Sequence, residues 1–266
     1  MSLKKDGLEK IYEGKTKDVY RYDDGKVLLY SKDSITGWKI KNNDGSISIV
    51  EDPGANEVVG EIEGLGLKNL KSSIYYFRLF KNAGLKTHYI DDDLDSKTML
   101  VHEANQIGHG LECIVRFKAM GSILRVYPDY LKEGQELHDF FEITTKNDRA
   151  GDPRISKELL TNLDFGKPMS EEDYETSKNL SLNAADIIKT DLLDLGLTLV
   201  DIKFEIGKIN NEIAIIDEIS SGIMRVLKNG KVLSEEELAN MLTTRDININ
   251  EKTLILKHKN TFDTSI

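Results

Sequence analysis

The sequence predicts an α+β fold in which a small, β-rich N-terminal lobe precedes a larger lobe built from a sheet and helices, with a ligand cleft between them. Three observations favour this fold. The first third of the chain consists of short apolar runs separated by Gly-containing turns, the clearest helix signals lie in the second half, and no internal repeat or low-complexity linker divides the sequence. We expect the lobes to span residues 1–104 and 105–245, followed by a C-terminal extension over 246–266.

The N-terminal lobe is expected to hold several strands and one helix. Strands are predicted over Lys10–Tyr22 and Lys26–Ser31, and a polar, glycine-bearing stretch follows over Asp33–Gly66. A helix is predicted from about Asn69 to Ala83, because Gly84 is the residue type that most often ends a helix.

Further strands are predicted where the two lobes meet. Thr98–Glu103 and Glu112–Lys118 have the length and apolar character of strands, and Gly108-His109-Gly110 would form the turn between them. Thr253–Leu256 is a candidate edge strand in the C-terminal extension.

Two helices of the larger lobe carry start signals in the sequence. Ser170 with Asp173 forms a variant capping box, and Gly196 ends the helix that follows. Ser234 with Glu237 forms a second capping box, from which a helix continues to about residue 242.

Composition excludes several classes of function. A net charge of −10 argues against nucleic acid as a partner, because phosphate backbones bind to concentrated basic surfaces. The single cysteine, Cys113, cannot form an internal disulfide and lies in an apolar run typical of a buried core thiol. Because no apolar segment approaches about 18 residues and no signal sequence is present, we expect a cytoplasmic protein that does not enter a membrane.

The most informative pattern is a strand followed by an acidic pair. In Leu199–Glu205 polar and apolar residues alternate, so Asp201, Lys203 and Glu205 share one face of a strand. If the next apolar run pairs with it as a hairpin, Glu205 lies about opposite Asp217, with Cβ atoms roughly 4.5–5.5 Å apart. Two carboxylates beside a lysine suit Mg²⁺, which completes its shell with water and phosphate oxygens. A solvated, charged hairpin face is the alternative.

Two other segments could bind anions. Lys15 and Lys17 follow Gly14 in a turn where lysines could reach phosphates, although the spacing is not that of a Walker motif. Arg116 ends a strand shortly before a turn containing Ser122, and an arginine can pair with a carboxylate or phosphate through two hydrogen bonds. An ordinary charged hairpin and a surface arginine before a turn are the respective alternatives.

Taken together and in this order, these segments resemble the SAICAR synthetase (phosphoribosylaminoimidazole-succinocarboxamide synthase) family of purine biosynthesis. The likeness runs from about Ile11 to Arg225. The motifs that carry it are Tyr12–Tyr20, Lys86–Ile90, Val115-Arg116 with Gly121-Ser122, Lys146–Asp148 with Gly151–Pro153, Leu199–Gly207 and Asp217–Ser220.

The resemblance implies a ligase that depends on ATP and Mg²⁺ and has ATP in the cleft between its lobes. Such an enzyme activates the carboxylate of carboxyaminoimidazole ribonucleotide (CAIR) and joins it to the amine of L-aspartate, giving the amide SAICAR. It implies small-molecule partners and leaves a homo-oligomer open. By matching position it assigns Lys15, Lys17 and Lys146 to the ATP phosphates, Glu205 and Asp217 to Mg²⁺, Arg116, Ser122 and Arg225 to the ribonucleotide, and Lys203 and Asp201 to catalysis.

The sequence departs from the family in the half of the site that faces the ribonucleotide. Trp38 stands where the family's Ser-Ala-Gly-Asp motif has its aspartate, and the family's Ser-Pro-Asp reads Ser220-Ser221-Gly222. These changes keep other functions open: a related ATP-dependent ligase acting on another carboxylate and amine, a small-molecule kinase, or a nucleotide-binding regulator without catalysis.

Overall fold

The computed structural model describes residues 3–42, 44–51, 57–162 and 169–247. Strands β1 to β15 span Lys10–Glu13, Lys17–Asp23, Lys26–Ser31, Ser34–Lys41, Ile47–Glu51, Glu57–Glu61, Tyr89–Asp93, Thr98–His102, Asn105–Lys118, Glu136–Thr145, Arg154–Ile155, Thr198–Ile209, Glu212–Ile216, Met224–Lys228 and Lys231–Val232. Helices α1 to α5 span Leu65–Asn82, Ser122–Val126, Lys157–Asn162, Glu171–Leu193 and Glu235–Leu242.

The strands of the described ranges form three antiparallel sheets. One sheet has the order β1-β2-β3-β8-β7, and a smaller one has the order β5-β4-β6. The largest has the order β11-β10-β9-β12-β14-β15, and β13 pairs with the second half of β12. The predicted α+β class is confirmed. The boundaries at residues 104 and 245 stay predictions, and the candidate edge strand Thr253–Leu256 lies outside the described residues.

The largest sheet has one apolar and one polar face, because successive side chains of a strand point to opposite sides. Val115, Ile202 and Phe204 are fully buried on the apolar face, where Ala184 and Ile188 of α4 pack against it. Burying a side chain of this size contributes about 1.5–3 kcal/mol. The polar face carries Glu112, Arg116, Glu142, Asp201, Lys203, Glu205 and Arg225.

The main apolar core is continuous between the first sheet and the largest sheet. It contains Val27 of β3, Met99 of β8, Phe77 of α1 and Phe204 of β12. Helix α1 is therefore packed among residues of both sheets. No helix in the described part of the chain is both long enough and apolar enough to cross a membrane.

Helix α1 begins four residues before the predicted start at Asn69. Its N-terminus carries no capping side chain of its own. Instead, the carboxylate of Asp33 accepts hydrogen bonds from the backbone N–H groups of Gly64 at 3.2 Å and Gly66 at 2.9 Å. The prediction was wrong here because the cap comes from a residue about thirty positions earlier. The C-terminal end is close to the predicted one, and Gly84 follows with a φ of 76°.

The other two predicted helices are confirmed. Ser170 and Asp173 form both hydrogen bonds of a capping box at the start of α4, and Gly196 follows the helix with a φ of 69°. Ser234 and Glu237 form the same arrangement at the start of α5. Both capping signals lie within a few residues of the helix that they start, so the sequence alone was sufficient to predict where these helices begin.

The segment Gly108–Gly110 is not a turn between two strands, as predicted. It lies inside the long strand β9, where Gly108 has a φ of 61° and Gly110 a φ of 106°. Strand β12 pairs with β9 on both sides of this segment, at Leu111 and again at Gln106. The two glycines therefore form a bulge, because residues without a Cβ accept positive φ inside a strand. The polar stretch that begins at Asp33 likewise contains a sheet, formed by β4, β5 and β6.

Candidate functional site

A charged cleft opens between the β1–β2 connection and the polar face of the largest sheet. It collects the lysines predicted to bind phosphate, the two carboxylates predicted to bind metal, and Lys203. Two further acidic residues that the prediction did not include also line it. The charged lining residues are Lys15, Lys17, Lys146, Lys203, Glu112, Glu205, Asp217 and Glu218.

The β1–β2 connection is a tight turn that presents its lysines to the cleft. The backbone N–H of Gly14 donates to the carbonyl of Lys17 at 2.8 Å, and Lys32 Nζ donates to the carbonyl of Gly14 at 2.7 Å. A Cβ on Gly14 would lie 2.6 Å from the Lys17 carbonyl oxygen, which no folded chain tolerates without a shift. Glycine is therefore needed at this position to place Lys15 and Lys17.

Lys17 joins the first sheet to the acidic segment that follows β13. Its Nζ lies 3.2 Å from Asp217 Oδ2 and also contacts Glu218 Oε1. The hydroxyl of Thr16 donates to the same Glu218 oxygen at 3.2 Å. Burial by itself would lower the pKa of Lys17, but the charges of Asp217 and Glu218 outweigh it and raise that pKa well above its ordinary value. Lys17 is therefore a fixed cation.

Strands β12 and β13 form the predicted hairpin, with a different register at its acidic end. Asn210 and Asn211 connect the strands, and both have positive φ, as favoured two-residue hairpin turns require. Glu205 pairs with Ile216, whereas Asp217 was predicted opposite Glu205. The two-residue turn sets this register, because it pairs Ile209 with Glu212 and therefore Glu205 with Ile216. Asp217 follows the strand with a φ of 70°.

Glu205 and Asp217 still influence each other's ionisation. Burial and the charge of Asp217 raise the pKa of Glu205, against the effect of Lys146, whose Nζ lies 2.6 Å from Glu205 Oε1. Burial would also raise the pKa of Asp217, but Lys17 and Lys146 lower it overall. Within the described ranges no three His, Cys, Asp or Glu side chains are grouped so as to hold a metal ion. A cation here would therefore need ligands beyond these two carboxylates.

His88 supports Asp217 from the interior of the protein. Its Nε2 lies 3.0 Å from the backbone carbonyl oxygen of Asp217, and its ring lies against Phe77. Burial lowers the pKa of His88 to about 4, so the ring is neutral near pH 7. A neutral Nε2–H can donate to the carbonyl, which helps to hold the unusual backbone conformation of Asp217.

Lys203 is paired with Glu112, a residue that the prediction did not include. Lys203 Nζ lies 2.8 Å from Glu112 Oε1, and Thr144 donates to the other oxygen of Glu112 at 2.9 Å. Glu112 stands directly opposite Glu205 on the neighbouring strand. The two like charges are tolerated because each contacts its own lysine. An acidic residue within an apolar strand run was the signal that could have identified Glu112.

The residues predicted to bind the ribonucleotide form a second cluster on the same face of the sheet. Arg116 donates to Asp201 at 2.9 Å, to Glu142 at 2.7 Å and to the hydroxyl of Ser122 at 3.1 Å. The side chain of Arg116 is only 2% exposed. Its guanidinium is therefore held inside the protein, where Arg154 also contacts Glu142.

Arg225 reaches the same aspartate from strand β14. Its Nη1 lies 2.9 Å from Asp201 Oδ2, and its side chain is 15% exposed. A Cβ on Gly121 would lie 2.9 Å from the Arg225 guanidinium carbon, so the missing side chain leaves room for this arginine. The geometry favours Arg225 as the residue that meets a ligand, with Asp201 and Arg116 positioning it. Direct substrate contact by Arg116 or Ser122 and a catalytic role for Asp201 stay predictions.

Comparisons with known proteins identify the family of this chain. The family model described as SAICAR synthetase matches residues 54–242. The chain belongs to the SAICAR synthetase family. The phosphoribosylaminoimidazole-succinocarboxamide synthase of Clostridium tetani is 41% identical over 87% of this chain and 98% of its own length. The enzyme of the same name from Sulfurisphaera tokodaii is 32% identical over 83% of this chain and 85% of its own. A solved SAICAR synthetase in complex with ADP superposes with a TM-score of 0.68, at 27% identity, over 94% of this chain and 97% of that one.

The two departures from the SAICAR synthetase motifs have different surroundings. Trp38 lies opposite Val50 in the smallest sheet and is 44% exposed, while Thr36, two residues earlier, lines the cleft. Gly222 lines the cleft directly, in the short turn at residues 221–223. Gly222 therefore borders the charged cleft itself, whereas Trp38 lies at a partly exposed position of the smallest sheet.

Proposed function

We propose that this chain catalyses the ATP-dependent joining of L-aspartate to the carboxylate of CAIR, forming SAICAR in purine biosynthesis. The observation that carries the proposal is the gathering of Lys17, Lys146, Lys203, Glu205 and Asp217 in one cleft. The relatives named phosphoribosylaminoimidazole-succinocarboxamide synthase and the family member solved with ADP support it.

The lysines of the cleft would hold the phosphates of ATP. Lys15 and Lys17 approach from the β1–β2 turn, and Lys146 approaches from the opposite wall. Phosphoryl transfer depends mainly on positioning and on neutralising charge, so fixed ammonium groups can supply much of the catalysis. Lys203, held by Glu112, would stabilise negative charge that develops during transfer.

Glu205 and Asp217 would hold Mg²⁺. The fit rests on the donor set, since Mg²⁺ is commonly bound by one or two carboxylates together with water and substrate phosphates. It also rests on the mutual influence of the two groups, because the charge of Asp217 raises the pKa of Glu205. When bound, the ion would neutralise charge on the phosphates. Lys17 and Lys146 hold the two carboxylates in place.

The ribonucleotide would bind beside Arg225, where its anionic groups meet the guanidinium. Its carboxylate would accept the terminal phosphoryl group of ATP to give an acyl phosphate. The amine of aspartate would then attack the acyl carbon, and phosphate would leave. Forming the acyl phosphate first replaces a carboxylate oxygen, which is a poor leaving group, with phosphate, which is a good one. No protein nucleophile is needed for this step.

A direct assay tests the proposal. The protein is incubated with ATP, Mg²⁺, CAIR and L-aspartate, and products are identified by mass spectrometry. SAICAR with stoichiometric ADP and phosphate is the expected result. A phosphorylated acceptor that accumulates in place of SAICAR when aspartate is present would instead indicate a small-molecule kinase, and the absence of both products would reject the proposal.

A second candidate is a related ligase that uses another carboxylate or amine, and the residues at Trp38 and Gly222 favour it specifically. Replacing aspartate by a panel of amino acids and amines in the same assay distinguishes the two. Faster amide formation with another amine would support the second candidate.

The setting of the enzyme is part of the same proposal. We place it in the cytoplasm with small-molecule substrates and without nucleic acid, which the acidic net charge of −10 and the buried thiol of Cys113 support. A homo-oligomer stays a prediction that light scattering of the purified protein can test.

A further inference from the structure

A second cavity adjoins the charged cleft on the side of Arg225. It has a volume of about 410 Å³ and is bounded by Arg225 and Met224 of β14, by Ser221, and by Glu235 of α5. Gly222 lines the charged cleft, and Ser221, its neighbour in the chain, lines this cavity. The turn formed by residues 221–223 therefore borders both spaces, and we call this boundary the junction.

Glu235 is a nearly buried carboxylate in the wall of this cavity. It is 7% exposed, and Asn69 Nδ2 of α1 donates to its Oε1 at 3.0 Å. Ser221 in turn donates to Asn69 Oδ1 at 2.6 Å. The capping box of α5 is formed by Ser234 and Glu237, so capping of the helix does not account for the inward position of Glu235.

The Glu235 carboxylate occupies the space into which a side chain at position 222 would project. A Cβ built on Gly222 would lie 2.9 Å from Glu235 Oε1, closer than real Cβ atoms approach. This is also the position where the family resemblance leads one to expect an aspartate. In this chain a carboxylate reaches the junction from α5, and the 221–223 turn supplies none.

We propose that Glu235 is a substrate-binding residue whose carboxylate accepts a hydrogen bond from an N–H or O–H donor of the ribonucleotide. The inference rests on the proposed function, because it names the group that this substrate meets on the side away from ATP. Arg225 would bind the anionic part of the same molecule. The cavity thus presents a cation and a carboxylate to a ligand that carries both an anion and neutral donors.

The chemistry of the carboxylate supports this assignment. An ionised carboxylate only accepts hydrogen bonds, and bonds to a charged acceptor are roughly twice as strong as neutral ones. Acidic side chains bind ribose hydroxyls in this way in dinucleotide-binding folds. The contact from Asn69 fixes the carboxylate before the ligand arrives, which reduces the entropy lost on binding.

The test compares Glu235→Gln and Glu235→Ala with a matched control, Glu236→Gln. Glu236 is the next residue of the same helical turn; its side chain is 45% exposed and pairs with Lys68 at 3.6 Å. We expect both Glu235 variants to raise the Kd for CAIR in calorimetric titration at least tenfold, and to change the KM for ATP less than twofold. The control should match the wild type in both.

A relocated carboxylate provides the second arm. Gly222→Asp in the Glu235→Ala background should recover CAIR binding at least in part, because a carboxylate then returns to the junction. Repeating the titration with 2′-deoxy-CAIR identifies the donor. If the deoxy analogue binds more weakly than CAIR to the wild type but not to Glu235→Gln, the donor is the ribose hydroxyl. If both proteins bind the deoxy analogue more weakly by the same factor, the donor is the amino group.

Several results would overturn the inference. It fails if the Glu235 variants bind CAIR like the wild type, or if they lose CAIR and ATP binding equally while melting at a lower temperature, since that indicates a structural role. If the wild type forms SAICAR and only the Glu235 result is negative, the proposed function stands. If the wild type neither binds nor converts CAIR, both proposals fail together.

Discussion

Single side chains in the cleft are paired across long distances in the sequence. Lys203 contacts Glu112, and Lys146 contacts Glu205. The alternation of polar and apolar residues in β12 was enough to predict that Lys203 and Glu205 share a face. It could not predict Glu112, because that residue becomes a neighbour only when β9 pairs with β12. The sequence pattern therefore predicted which residues share a face of β12, but it did not predict which residue of the neighbouring strand β9 lies beside them.

Replacing either acidic residue of the predicted metal pair should abolish most turnover. We expect Glu205→Gln and Asp217→Asn each to lower kcat by about 10²-fold or more, a loss typical of removing one group that stabilises transition-state charge. The melting temperature should stay near that of the wild type. Glu212→Gln is the matched control, since Glu212 lies in the same hairpin and is exposed. A Glu205 variant that retained most of its turnover would remove the metal role.

Arg225→Ala should weaken binding of the ribonucleotide far more than binding of ATP. The guanidinium is partly exposed beside Asp201 and lines the second cavity, so its loss removes a cation from one substrate only. We expect KM for CAIR to rise at least tenfold and KM for ATP to change less than twofold in steady-state assays. Arg125→Ala, at an exposed position of α2, should have no effect. Equal losses for both substrates would contradict this assignment.

At the scale of elements, the accuracy of prediction depended on where each helix finds its cap. The boxes at Ser170 and Ser234 are local, and both helices begin as predicted. The cap of α1 comes from Asp33 in another element, and its start was misplaced. The bulge in β9 was mistaken for a turn for a similar reason, since glycines indicate a bend without showing whether the partner strand continues.

Asp33→Ala should destabilise the protein by about 1 kcal/mol, the usual cost of losing a helix cap. Burial alone would raise the pKa of Asp33, but hydrogen bonds from Gly66 and Gly64 and the charge of Lys97 lower it. The stabilisation is therefore present above the ordinary pKa of an aspartate and is lost as pH falls through the lower pKa of the folded state. Urea unfolding at several pH values measures it, and Asp33→Asn, which keeps an acceptor oxygen, should lose less. A difference in unfolding free energy between the wild type and Asp33→Ala that did not change with pH would contradict the contribution of the ionised carboxylate.

For the whole molecule, the sequence predicted the class of fold and the meeting of two charged segments in a cleft. It did not predict that Lys17 of the first sheet would bind the acidic residues after β13, because that contact depends on how the sheets pack. The small sheet formed by β4, β5 and β6 was also missed, since its polar and glycine residues obscure the strand pattern.

ADP with Mg²⁺ should stabilise the native state. At a free ligand concentration of about one hundred times Kd the gain is about 2.7 kcal/mol, which appears as a rise in melting temperature. Lys17→Ala and Lys146→Ala should each reduce this rise at equal ligand concentration, because both lysines line the cleft. Lys81→Ala, exposed near the end of α1, is the control and should retain it. Full retention in both cleft variants would argue against nucleotide binding there.

The shared core has a consequence for how substrates enter. Phe77 and Val27 belong to the same apolar core as Phe204. Rotating one half of the molecule away from the other would therefore expose this core to water. Exposing apolar surface to water costs about 25 cal/mol for every Å², so a wide hinge motion is energetically unfavourable. Entry and exit should therefore rely on small local movements of connecting segments at the rim, and the two halves should melt in one calorimetric transition.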